Sequence, residues 1–220
     1  MSALFNQVIV RPYEWRDREV VRQLCCDTAD RGRPIEPLYN DREVFADLVT
    51  RYYTDYEPGA TWIAEWEGQV VGYLTGCLDR PRYQRVVLWR VAPAAIVRAM
   101  RRGALSSRQS WDWVCAALHT WRCRGLRWRS PENRYSAHLH INVRDGFRGQ
   151  QVGKQLVQRF LDQARAMRVR GVYAAIRSDN VRSQRFFERL GFMELSRYPV
   201  FIPNGTSQQA HETVVYGKPL

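Results

Sequence analysis

HLHINVRDGFRGQQVGKQLVQRF, residues 138–160, decides how the rest of the chain is read. Its first third alternates between apolar and polar side chains, the pattern of a strand with one covered face. From residue 152 the period changes. Val152, Leu156, Val157, Phe160, Leu161 and Ala164 recur at helical spacing, which predicts an amphipathic helix over 153–167. Between strand and helix lies Arg148-Gly149-Gln150-Gln151-Val152-Gly153-Lys154. A helix N-terminus presents unpaired backbone N–H groups and the positive end of the helix dipole, so such a turn can hold a phosphate or pyrophosphate. Gly149 and Gly153 permit close backbone approach, and Arg148 and Lys154 add charge. The pattern GxxxxGK[ST] is absent, which excludes a P-loop. An ordinary strand-to-helix turn is the competing reading.

Working outward, 171–176 reads as a buried strand, 179–190 as a helix stopped by Gly191, and 192–201 with 212–216 as a final strand pair. Upstream, 7–11 reads as a strand and 15–30 as a helix. A second helix starts at Asp41 and reaches about residue 53. Residues 61–67 and 69–77 flank Glu67-Gly68, a hairpin signal. The order is βααββ, an insertion, then βαβαββ.

Two segments together identify a family resemblance. Residues 148–153 resemble the acetyl-CoA motif [QR]-x-x-G-x-[GA] of the GNAT (Gcn5-related) N-acetyltransferases. Asn180-Val-Arg-Ser-Gln-Arg-Phe-Phe187-Glu-Arg-Leu-Gly-Phe192 resembles the family's second signature, N-x-x-A-x-x-F-Y-E-x-x-G-F. The resemblance covers most of the chain except about 81–135. It implies an α/β fold whose mixed sheet splays open between its fourth and fifth strands, with acetyl-CoA as co-substrate in the gap and no metal. By position it also implies that backbone around Val143 pairs with pantetheine, and that N–H groups of Gly149, Gln150, Gln151, Val152, Gly153 and Lys154 hold the pyrophosphate. Asn180 would bond pantetheine or the acceptor side. The implied reaction is direct attack of a primary amine on the thioester in a ternary complex.

The departures from the motif carry information. Gln151 stands where the family has its first Gly, at a cost of about 1–2 kcal/mol if that residue needs a positive φ. Ser183 replaces Ala, and Phe187 replaces the Tyr that usually serves as general acid. A positioned acid contributes roughly 10²–10⁴-fold, so Phe187 favours an alternative, a non-catalytic module that binds acyl-CoA or a polyanion. Tyr173 and Tyr198 are substitute acids, and packing beside Phe186 is the simpler role for Phe187. His138 and His140 share one face of the fourth strand, and a His of ordinary pKa suits an ammonium acceptor as base. A similar pair serves that role in some family members. Here it sits one residue closer to the Arg motif, which inverts its face unless a bulge intervenes. His119 reads as a residue of a helix in the insertion, and His211 as the start of the last strand.

Composition sets the outer limits. The 220 residues, 45% hydrophobic and 25% charged, predict one domain over 1–220 and exclude chain-wide disorder. No stretch approaches a membrane span, and the N-terminal residues lack the pattern of a signal peptide. Five cysteines, at 25, 26, 77, 115 and 123, show no CxxC pair or metal-like spacing, so reduced thiols in the cytoplasm are expected. The net charge is +12. Residues 81–136 hold twelve Arg against Asp112 and Glu132, together with five of the eight Trp. This basic, aromatic segment reads as helical, with Pro93 opening one helix and Ser106 and Gln109 opening another. It would wall an acceptor pocket, pack its Trp on the sheet, or meet nucleic acid or an anionic membrane surface. Its expected effect is on a small-molecule or peptide amine acceptor with an anionic or aromatic part, Arg98, Arg101 and Arg102 facing that side.

Overall fold

A computed structural model describes residues 7–104, 107–124, 134–204 and 207–220. Arg127, Trp128 and Arg129 of the basic segment lie outside them. The strands are β1 (Ile9–Pro12), β2 (Thr61–Trp66), β3 (Gln69–Cys77), β4 (Ala137–Val143), β5 (Gly171–Arg177), β6 (Met193–Asn204) and β7 (Ser207–Pro219). The helices are α1 (Arg18–Thr28), α2 (Arg42–Arg51), α3 (Arg80–Val86), α4 (Ala92–Arg101), α5 (Arg108–Arg124), α6 (Val152–Ala166) and α7 (Val181–Arg189).

The strands form one mixed sheet in the order β1-β2-β3-β4-β5-β7-β6. Neighbours run antiparallel except β4 and β5, which are parallel. That pair is joined only at Ala137↔Val172 and His138↔Tyr173. Each then keeps its other partner: β4 follows β3 from Cys77↔His138 to Gly72↔Val143, and β5 follows β7 from Gly171↔Pro219 to Arg177↔Thr213. The sheet therefore opens at the parallel pair, as the family resemblance implies.

Alternation along the strands divides the core. Leu74, Leu139 and Val172 face α6, where Leu156, Val157 and Phe160 are fully buried. Ile63 and Tyr73 face α1, packing against Val21, Leu24 and Cys25. Adjacent Cys25 and Cys26 enter different clusters, Cys26 meeting Ile35 and Val44. The hairpin between β2 and β3 turns at Glu67 (φ 48°) and Gly68 (φ 76°), the two positive angles a tight two-residue turn needs.

The basic segment differs from the expectation in two ways. A helix covers Arg80–Val86 that the periodicity did not reveal, with Asp79 accepting from Arg82 N–H at 2.9 Å and Pro81 in the first turn. It continues through a widened turn, Val87–Val91, into α4. That widening changes the helical phase, and the Val-Val-Leu-Trp run hides the period. Helix α5 extends to Arg124, past the point where a loop was expected at 122. The tryptophans do not all pack inward. Trp113 donates to the Leu38 carbonyl at 2.8 Å, whereas Trp89 and Trp111 are exposed.

Helix α4 is tied to the fold by charge. Asp47 is buried and accepts from Arg22, also buried, at 2.5 Å. Arg98 reaches Asp47 and Glu43 at 2.9 Å each, and Arg102 reaches Asp41 at 2.8 Å. Breaking a buried pair leaves an uncompensated charge, which costs about 3–5 kcal/mol. Asp47→Ala should lower the free energy of unfolding by that amount in urea titrations. A loss under about 1 kcal/mol would mean that Arg22 finds another partner.

Candidate functional site

The opening between β4 and β5 forms a cavity of about 350 Å³. Leu139–Val143 supply one wall, Ala174–Arg177 the other, and the α6 and α7 N-termini close one side with Gly149, Gly153, Asn180 and Ser183. The turn between α1 and α2 closes the opposite side through Thr28, Ala29, Arg31 and Gly32. That last wall was not anticipated. Its only sequence signal is Arg31-Gly32, both with positive φ, 57° and 92°.

At the α6 N-terminus, Gln151 takes φ 63° and makes no side-chain cap. The left-handed conformation the family's Gly would supply is thus present, at the steric cost of a Cβ. Gln155 N–H returns to the Gln151 carbonyl, so the N–H groups of Val152, Gly153 and Lys154 precede the first intrahelical bond. Gly149 (φ 84°) has open space where a Cβ would project. At Gly153 a Cβ would lie 3.1 Å from the Phe186 ring, so its absence also seats α7 against α6. Gln150 donates to the Gly146 carbonyl at 2.8 Å, which shapes the loop.

Arg148 folds back across the cavity mouth. Its Nε donates to the Val143 carbonyl at 2.9 Å, and its guanidinium fills the place a Gly32 side chain would take. Asn180 caps α7, its Oδ1 accepting from Ser183 N–H at 3.2 Å, which leaves the amide N–H groups for other partners. Phe187 is buried, edge-on to Phe186 and Phe192 with centroids 5.1 Å from each. Among the described residues no tyrosine lines the cavity. Tyr173 lies instead beside His138, its ring centroid 5.4 Å away, and burial pushes its pKa up to about 12.

The two histidines separate. His140 opens toward the cavity, and the protein around it lowers its pKa below the ordinary value. His138 is buried behind it, with Nε2 2.8 Å from the Tyr53 hydroxyl and Nδ1 lacking a partner among the described residues. Burial, then His140 and Arg80, lower the His138 pKa to about 3. Pairing of β4 with β3 runs through both positions without a register shift, so no bulge alters their faces. Tyr53 was not singled out from the sequence, since one Tyr among eleven carries no distinguishing pattern. His119 lies on α5, stacked on Phe201 at 3.9 Å, and His211 lies within β7.

None of the described residues between 80 and 135 lines the cavity. The basic segment approaches the site instead through Tyr83, whose ring centroid lies 4.8 Å from that of His138. Two of the three Arg residues expected to face the acceptor, Arg98 and Arg102, hold α4 to α2. Among the described residues no helix is long and apolar enough to cross a membrane, and no cluster of His, Cys, Asp and Glu could hold a metal ion.

A mixed sheet parted at its one parallel pair, with a glycine-bearing loop and helix N-terminus at the opening, defines an acyltransferase-type α/β fold. Residues 111–192 match the family model described as the acetyltransferase (GNAT) family. The structure resembles that of SsHAT, at 26% identity and a TM-score of 0.73, over 97% of this chain and 98% of that one. It also shares its fold with a Drosophila melanogaster polyamine N-acetyltransferase that forms N-acetylagmatine (14% identity, TM-score 0.62, 97% and 100% covered). A further likeness is to yncA from Salmonella typhimurium, solved with its cofactor acetyl-CoA (15%, 0.59, 97% and 94%). Residues 111–192 thus carry a GNAT acetyltransferase family match, within a chain that shares its fold with solved N-acetyltransferases.

A stability test follows from His138. Its folded pKa of about 3 lies below the ordinary 6.5, so the unfolded chain binds the extra proton between those values. Stability from this group is complete above 6.5 and is lost as pH falls toward 3. Urea unfolding at pH 7 and pH 5 should show a smaller loss on acidification in His138→Gln than in the parent. Equal losses would mean that His138 is not held neutral by the fold.

Proposed function

We propose that this chain is an N-acetyltransferase that moves an acetyl group from acetyl-CoA to a primary amine, with both substrates bound together. The observation that carries this reading is the cavity where β4 and β5 part, with the α6 N-terminus at its edge. Three free N–H groups and the charge of Arg148 and Lys154 suit a pyrophosphate. The Val143 backbone would then pair with the pantetheine arm, for which Arg148 must first release the Val143 carbonyl. Asn180 would donate from its amide to the same arm.

In the reaction, the amine nitrogen forms a bond to the thioester carbonyl carbon, and the carbon–sulfur bond breaks. His140 is the residue assigned to take the proton from the amine, because it faces the cavity while His138 does not. A base of lowered pKa is already unprotonated at neutral pH. His138 and Tyr53 would support it from behind. The thiolate needs no strong acid to leave, since a thiol pKa is about 8.5. Fold and family do not identify the acceptor. The second reading, a non-catalytic module that binds acyl-CoA or a polyanion, draws on Phe187, which brings no hydroxyl to the cavity.

A thiol-release assay with acetyl-CoA against an amine panel, alongside calorimetry with acetyl-CoA, separates the two. Arg148→Glu should weaken binding by tenfold or more, on the order of one lost charge-assisted contact at about 1.5–3 kcal/mol. His140→Ala should lower kcat by about 10²-fold with KM for acetyl-CoA nearly unchanged. Unaltered turnover in a folded variant would remove His140 from the role. Binding without turnover for any amine would support the second reading.

Phe187→Tyr tests the missing acid. The extra hydroxyl should raise turnover, within the 10²–10⁴-fold bound for a positioned acid, if leaving-group protonation limits the rate. A fall in turnover with intact binding would assign the acid to another residue.

A further inference from the structure

We propose that α3, α4 and α5 form a face that docks on the surface of an anionic lipid bilayer. Helix α4 turns its larger apolar side chains outward. Its small residues, Ala95 and Ala99, face the protein, while Ile96, Val97 and Met100 face solvent. A helix that served only to pack would do the reverse. Trp89, Pro93, Ile96 and Met100 recur at intervals of four, three and four, which gathers them on one stripe through the widened turn. Trp89 is 73% exposed and Ile96 53%. On α5, Trp111, Val114 and Leu118 form a second exposed stripe while Trp113 and Ala116 point inward. Eight of the fourteen large hydrophobic residues exposed among the described residues fall between 88 and 118, a concentration that single scattered side chains do not produce.

Charge selects the occupant. Residues 80–111 contain eight Arg and no Asp or Glu. Arg98 and Arg102 are neutralised by α2, whereas Arg90, Arg101, Arg108 and Arg122 make no ion pair among the described residues. A second copy of this chain would bring the same cations against themselves. Nucleic acid would satisfy the cations but leave the aliphatic stripe without a counterpart. A bilayer surface with anionic headgroups meets both requirements. Trp, Ile, Met and Leu enter the headgroup–acyl boundary, and Arg pairs with lipid phosphate or carboxylate. The inference is independent of the acyl-transfer reading, because no described residue of this face lines the cavity.

Co-sedimentation of the full chain with phosphatidylcholine vesicles, with and without phosphatidylserine, tests it. The chain should partition more than about tenfold better onto the anionic vesicles, and less well as salt rises. Arg90→Gln and Arg101→Gln should each lower partitioning roughly fivefold, the value of about 1 kcal/mol per cation near such a surface. Trp89→Ser with Ile96→Ser should lower it as well, with the circular dichroism spectrum unchanged. The comparison of vesicles needs no variant, so a misfolded mutant does not weaken the test. Equal partitioning onto both vesicle types overturns the proposal. A dimer in sedimentation equilibrium that Ile96→Glu dissociates would reassign the face to a second copy. RNA binding indifferent to Trp89 and Ile96, without vesicle binding, would reassign it to nucleic acid.

Discussion

The structure depends on one interruption of hydrogen bonding. Strands β4 and β5 are parallel, share two residue pairs, and then part because each is already held on its other edge. Parting exposes backbone N–H and C=O groups along both strands, and such groups must find partners. In this chain one of them, the Val143 carbonyl, takes Arg148 from the loop beyond it. The cavity is thus bounded by polar backbone awaiting partners, which is the property an extended ligand can use. The apolar core beneath, built on Leu139, Leu156 and Phe160, keeps the two halves of the sheet on one rigid layer despite the gap.

The same strand gives its two histidines different chemistry. Two residues of separation keep His138 and His140 on one face, yet only His140 reaches the opening. His138 lies where the strands are still joined, beneath Tyr53 and Tyr83. Depth along the strand, rather than residue type, decides which imidazole lines the cavity and which is enclosed behind it. The charged residues follow a similar division. Arg22 and Asp47 are buried and bind α1, α2 and α4 together, while the cations farther along the basic segment stay in water.

Much of the fold was readable because its signals are local. Period two gave way to period 3.6 at residue 152, and Asp41, Pro93 and Glu67-Gly68 marked a cap, a helix start and a turn through their own backbone chemistry. The positive φ at Gln151 was readable in the same way, from a glycine position in the family motif. Where the period was disturbed, the reading failed. The widened turn at Val87–Val91 shifted the helical phase, and the helix before it went unseen. The direction of the amphipathic stripe on α4 was also unreadable, since a sequence shows that one face is apolar without showing which face meets the protein.

By itself, then, the sequence determined the order of the strands and of the helices outside the basic segment, the loop at the α6 N-terminus and the absence of a hydroxyl at Phe187, because each follows from residues close together in the chain. Tertiary structure decided the rest: that Thr28–Gly32 closes the cavity, that Arg148 lies over Gly32, that Tyr53 meets His138, and that Ile96 and Met100 face water. The physical reason is separation. These contacts join residues from tens to more than a hundred positions apart, and only the packing of helices on a particular sheet face brings such residues within a few ångströms.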